Sequence, residues 1–136
     1  IGTLIVGYNT TFQRSSDLGR QMNQVFVGIP FGILRRKLKY LCEMNGIRYV
    51  EQEESYTSMA SFWDLDEMPV YGEAGLVPPV FSGRRICRGL YQDRSGRRIN
   101  ADVNGALNIM RKCNIVSLRV LYDRGDVDTP VRIRIA

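Results

Sequence analysis

Asp102 stands in the run Ile99-Asn100-Ala101-Asp102-Val103-Asn104-Gly105-Ala106-Leu107-Asn108-Ile109, an acid at the mouth of a short helix. Asn100 is placed to cap it, and the open peptide N–H groups of a first helical turn favour a fixed negative charge. A second group of acids, Glu51, Glu53 and Glu54, closes an apolar segment about fifty residues earlier. In an open α/β sheet, strand ends and helix starts share one rim, so such acids can converge. Carboxylates that converge are hard oxygen ligands of the kind magnesium takes, and two divalent ions about 3.5–4 Å apart can cleave a phosphodiester. The plainer reading is that Asp102 complements its helix end and that the glutamates are solvated charges. Strand alternation sets Glu54 with Gln52 on one face and Glu51 with Glu53 on the other.

The second chemical signal is basic. Arg84, Arg85, Arg88, Arg94, Arg97 and Arg98 crowd into fifteen residues, whereas acids gather at Glu51 to Glu54 and Asp64 to Glu67. With 19 Lys+Arg against 14 Asp+Glu the formal charge is +5, an excess that suits a polyanion. A basic groove leading to an acidic metal site gives this segregation, and so does a solvated loop. Aromatics beside the arginines, Tyr91 next to Arg88 above all, are placed to stack on unpaired bases, although core packing is the more ordinary role for Phe62, Trp63, Phe81 and Tyr91.

Several elements must position these groups. Thr3-Leu4-Ile5-Val6-Gly7-Tyr8 reads as a buried strand. Asp17 to Phe26 is weakly periodic, with Leu18, Met22 and Val25 on one side. A helix runs from Pro30 through Asn45, its core stripe Phe31, Leu34, Leu38, Leu41 and Cys42, and Gly46 stops it. Ile47 to Glu53 is a second strand, so the opening half is strand, helices, strand, with parallel pairing expected. From Tyr56 to Arg98, prolines and glycines break the chain into short pieces, an insertion with small strands. In the closing helix, from about Ala101 to Cys113, helical spacing puts Val103, Ala106, Leu107, Met110 and Cys113 on the packed face and Asn104, Asn108 and Arg111 on the other. Val116 to Tyr122 and Val131 to Ile135 alternate, which predicts a strand pair in the tail, joined through a turn-like stretch from Asp123 to Thr129. The fold class is thus α/β, divided as 1–55, an insertion over 56–98, a closing helix over 99–113 and a tail over 114–136.

The 136 residues amount to one domain with a modest core. Cys42, Cys87 and Cys113 form no Cys-x-x-Cys pair, so neither a disulfide framework nor a zinc site is indicated, and reduced thiols are expected. No apolar run is long enough to span a membrane, and no secretory signal is evident. A cytoplasmic, nucleoid-associated protein is expected.

Read in order, Glu54-Ser55-Tyr56-Thr57-Ser58, Phe81-Ser82-Gly83-Arg84-Arg85-Ile86-Cys87-Arg88-Gly89-Leu90-Tyr91 and Asn100-Ala101-Asp102-Val103-Asn104-Gly105-Ala106 resemble the C-terminal part of the TnpB (OrfB) proteins of insertion sequences, relatives of the type V CRISPR nucleases. The resemblance covers about Ile1 to Lys112. It implies a partial RNase H-like (RuvC) domain, a mixed sheet with flanking helices and a small β-rich insertion, and a nuclease directed to DNA by guide RNA. It also implies two-metal catalysis with Mg2+ (or Mn2+), with Glu54 and Asp102 as ligands and Arg84, Arg85, Arg88, Tyr91, Arg97 and Arg98 on the nucleic acid.

Three departures from the pattern matter. The early strand, Leu4 to Asn9, lacks the family's usual acid, and Glu54 occupies the alternative place used by rearranged branches such as Fanzor. The two cysteine pairs of the family's zinc ribbon are Ala60 and Trp63, then Arg85 and Arg88, so no zinc is expected. The family's first catalytic aspartate and its guide- and target-recognition parts have no counterpart, which implies a longer parent and little or no cleavage by this chain alone. A nuclease-dead nucleic-acid-binding relative is the alternative.

Overall fold

The computed structural model describes residues 1–9, 30–70 and 79–124. The weak periodicity over 17–26, the alternation over 131–135 and most of the turn-like stretch between them lie outside the described residues. The chain is mixed α/β and forms two compact units, Ile1–Glu54 and Ser55–Ala136.

In the first unit, β1 (Thr3–Tyr8) and β2 (Arg48–Glu53) pair in parallel, from Thr3 opposite Arg48 to Tyr8 opposite Glu53. Parallel pairing requires a crossover, and α1 (Phe31–Met44) lies within it. Gly46, at φ 65°, turns the chain out of the helix into β2. The inward line of α1 is Phe31, Arg35, Leu38 and Cys42, rotated from the expected stripe. Leu34 and Leu41 are about half exposed, as are Ile33, Tyr40 and Met44. Arg35 takes an inward place because its charge is met there: Nη1 lies 3.0 Å from Glu51 Oε2, and the guanidinium sits 5.6 Å from the Tyr8 ring centre.

The second unit builds on a three-stranded antiparallel sheet in the order β3 (Arg84–Cys87), β4 (Leu90–Gln92), β5 (Arg98–Asn100). β5 runs directly into α2 (Ala101–Cys113), and α3 (Arg119–Arg124) follows. The core joins Phe62, Tyr91, Ile99, Ala101, Leu107 and Leu118, with Trp63, Val103, Met110, Leu121 and Tyr122 against it. The Phe62 and Tyr122 rings stack with centres 4.6 Å apart. The expected strand over Val116 to Tyr122 is corrected here: Leu118, Leu121 and Tyr122 reach the core at helical spacing, a placement that alternation alone did not exclude.

The helix α2 also corrects the sequence reading. Asn104 and Asn108, expected on its outer face, are fully buried, whereas Ala106 is exposed. The polar face of α2 is occupied by the loop that begins at Ser55.

Gly83 fixes the approach of the incoming chain to the sheet. A methyl group there would lie 2.6 Å from the Tyr91 ring and 2.7 Å from the Gln92 carbonyl oxygen. Backbone and a fully buried ring cannot both yield, so Gly83→Ala is expected to cost about 1–3 kcal/mol in chemical denaturation.

Candidate nucleic-acid interface and carboxylates

Glu54 follows the last residue of β2, and its N–H donates to the Tyr8 carbonyl at 3.1 Å. It therefore stands beside the end of β1. Burial raises its carboxyl above the ordinary range, and the neighbouring charge of Glu53 adds to the rise. Glu51 is committed elsewhere, since it accepts from Arg35 at 3.0 Å and from the Tyr49 hydroxyl at 2.9 Å. Burial and that hydrogen bond push the Tyr49 phenol up to about 12.

Asp102 occupies the first turn of α2 as expected. Asn100 Oδ1 accepts from Asp102 N at 2.8 Å and from Val103 N at 3.2 Å, and the Asp102 side chain is exposed. At the other end Asn114 closes the helix in the left-handed conformation at φ 50°. Glu54 ends the first unit and Asp102 belongs to the second. Among the described residues, no three of His, Cys, Asp or Glu gather as a metal-holding group.

Arg84, Arg85, Arg88, Arg94, Arg97 and Arg98 are all exposed. The register sets Arg84 opposite Gln92 and Gln92 opposite Arg98. Directly opposed residues share a sheet face, so Arg84 and Arg98 flank Gln92 on one side. With strands roughly 4.8 Å apart, their Cα atoms stand about 10 Å apart on that face. Tyr91, Ile99 and Arg85 form the opposite row, and there Tyr91 and Ile99 are buried.

Tyr91 therefore does not serve as a stacking surface, which corrects the sequence expectation. Its ring is 1% exposed, its hydroxyl donates to the Met59 carbonyl at 2.8 Å, and burial with the nearby Asp66 pushes the phenol up to about 12. Strand alternation turned it inward when Arg84 and Arg98 took the outer face.

Two clusters escaped the sequence reading. In one, Asn104 Oδ1 accepts from Phe62 N at 3.1 Å while its amide donates to the Ala60 carbonyl at 2.9 Å. The Asn108 amide donates to the carbonyls of Thr57 and Ala60, and Lys112 Nζ to that of Ser55 at 3.2 Å. Positions 104, 108 and 112 thus hold residues 55–62 along one face of α2. Asparagines four apart, in line with Lys112 a further four residues on, were the available signal.

The other cluster ties residues 61–66 to Ser82 and to the turn after β4. Asp66 accepts from Ser61 N, Ser82 N and Ser82 Oγ, and its neighbour Asp64 from Ser82 Oγ and Arg94 N. Burial raises the Asp64 carboxyl, but hydrogen bonds from Ser61, Arg94 and Ser82 outweigh it and leave the group below its ordinary range. The positions read as former zinc ligands hold no thiolate: Ala60 is buried, Trp63 packs on Phe62 and Tyr122, and Arg85 and Arg88 are exposed. These side chains do not fit a zinc ion.

A family profile described as Cas12f1-like, TNB domain matches residues 31–109, from the first residue of α1 into α2 and over half of the chain. The chain belongs to that Cas12f1-like TNB family. No curated protein matches it. The Cas12f1-like assignment places the chain among TnpB- and Cas12-related nucleases, in line with the resemblance drawn from its three motif blocks. Glu54, the arginine-bearing sheet, the Asp64–Asp66 cluster and Asp102 all fall inside the matched TNB segment. No helix among the described residues is long and apolar enough to cross a membrane.

Proposed function

We infer that this chain is the strand-handling part of a TnpB/Cas12-type RNA-guided DNA nuclease and that its three-stranded sheet holds a single nucleic-acid strand beside Asp102. One observation carries this reading. Arg84 and Arg98 share an outer face, and β5 passes from Arg98 through the capping Asn100 into Asp102 without a linker. Phosphates held by that face lie within a few residues of a fixed, exposed carboxylate. The family match supports the same reading, since a TNB domain binds the target strand.

Within the proposal, the chain carries part of a RuvC-like domain of RNase H fold, and Glu54 and Asp102 are ligands of magnesium or manganese. The donor chemistry fits: both are carboxylates, and Glu54 sits beside the strand end that lacks the usual acid. When bound, the ions would activate water and steady the leaving oxygen. What the chain itself contributes is a half-buried strand-end carboxylate, a capped helix that holds Asp102 still, and arginines that orient phosphate. Two acids are fewer than such a centre requires, so the chain alone cleaves little or nothing, and guide RNA binds through other parts of the parent. A nuclease-dead binding relative is the second reading, favoured by the early strand Leu4 to Asn9, which carries no carboxylate.

The test is binding of a fluorescent single-stranded DNA followed by anisotropy as salt is raised. Phosphate contact releases counterions, so affinity is expected to fall with a log–log slope of about −0.7 for each phosphate engaged. Failure to bind at 50 mM salt, or affinity indifferent to salt, rejects the reading.

A further inference from the structure

The exposed arginines are not equivalent. Arg97 lies with its guanidinium carbon 4.6 Å from the centre of the Trp63 ring, yet its side chain is still 48% exposed. The planar group therefore has an aromatic floor beneath it and an open side. The floor is fixed, because Trp63 meets Phe62 edge-on at 5.2 Å and Tyr122 at 5.9 Å. The turn that carries Arg97 is fixed as well: Asp93 N donates to the Arg97 carbonyl at 2.9 Å, and the nearly buried Asp93 carboxylate accepts from Arg97 N at 2.7 Å and Ser95 Oγ at 2.8 Å. Asp93 Oδ2 stands 3.9 Å from Arg97 Nε, an ion pair too long for a hydrogen bond. The guanidinium edge thus remains able to take a phosphate or base edge. Arg94 and Arg98 stand exposed on the same turn and strand.

A pre-ordered cationic plane among further arginines is the surface on which unpaired bases stack, since a base presents a π-face whatever its identity. We propose that Arg97, backed by Trp63, is a base-stacking platform for an unpaired nucleotide, so that base, guanidinium and indole form a three-layer stack. This takes over the role that sequence spacing gave to Tyr91, and it rests on the reading of the sheet as a strand-binding surface. Order in the turn and floor lowers the entropy lost on binding. The platform accepts single strands and excludes duplexes, whose bases are already stacked.

Trp63 is the chain's single tryptophan, so its emission reports this place alone. Titrating the full chain with an unlabelled single-stranded oligonucleotide is expected to quench that emission saturably, in step with anisotropy of a labelled copy, whereas the duplex of the same sequence leaves it unchanged. Arg97→Lys keeps the charge but loses the plane. It should weaken single-strand binding about 5- to 100-fold with the salt slope unchanged. Melting of the variant within a few degrees of the parent shows that the fold is kept, and Arg97→Gln, planar but uncharged, is the second variant if Lys disturbs it. Arg97→Lys that binds and quenches like the parent overturns the platform while leaving the arginine surface standing. Quenching by duplex equal to that by single strand overturns it as well. Absence of any single-strand binding rejects the underlying reading instead.

Discussion

Asn104→Ala is expected to lower the melting temperature by roughly 15 °C, from a loss of about 3 kcal/mol in a unit of this size. The Asn104 amide is fully buried and satisfies two backbone groups of the loop at once, Phe62 N and the Ala60 carbonyl. Truncation leaves the Phe62 N–H without its partner in a dry core and opens a small void under Phe62. Asn108 still bonds the Ala60 carbonyl, so the loop is loosened rather than released. The sign is what discriminates. Were Asn104 on a solvated helix face, alanine would raise stability by about 0.5 kcal/mol, because it is the better helix former. Thermal unfolding followed by circular dichroism decides between them, and a neutral or stabilising result would show that the loop does not lean on α2.

The second large effect concerns the outer face of the sheet. Arg84→Glu combined with Arg98→Glu should reduce single-strand affinity roughly 100-fold at low salt and make the salt slope shallower by about 1.4, the value for two lost phosphate contacts. Net charge alone does not produce this pattern. Arg36→Glu with Lys39→Glu on α1 changes the charge by the same amount, and both residues are exposed. That control should lower affinity only a few-fold, through the long-range field. Equal losses in the two double variants would reduce the sheet to one part of a generally basic surface. Both double variants replace exposed side chains, so neither is expected to alter stability by more than about 0.5 kcal/mol.

How much of this was legible beforehand follows the range of the forces involved. The Asn100 cap, the span of α2 and the strand–helix–strand order of the first unit were all readable, because caps, turn glycines and apolar runs act within a few residues. Glu51 and Glu54 were separable only in part. Strand alternation put them on opposite faces, but the Arg35 and Tyr49 contacts that commit Glu51 come from sixteen residues upstream and from two residues before it. The arginines stand exposed, as binding to nucleic acid requires, whereas Tyr91 was misplaced, since its place in the motif does not say which side of a three-residue strand faces the core.

The sequence by itself determined the places of β1, α1, β2 and α2, that the chain is basic around residues 84–98, and that carboxylates stand at a strand end and a helix start. Tertiary structure alone decided which helix face is inside. Asn104 and Asn108 became core residues because the loop from Ser55 brings carbonyls and an N–H that need partners in the absence of water. It likewise put Arg97 on Trp63 and made a helix of the alternating tail segment. Local pattern fixes the period of burial, but only the opposing surface determines what is buried against it.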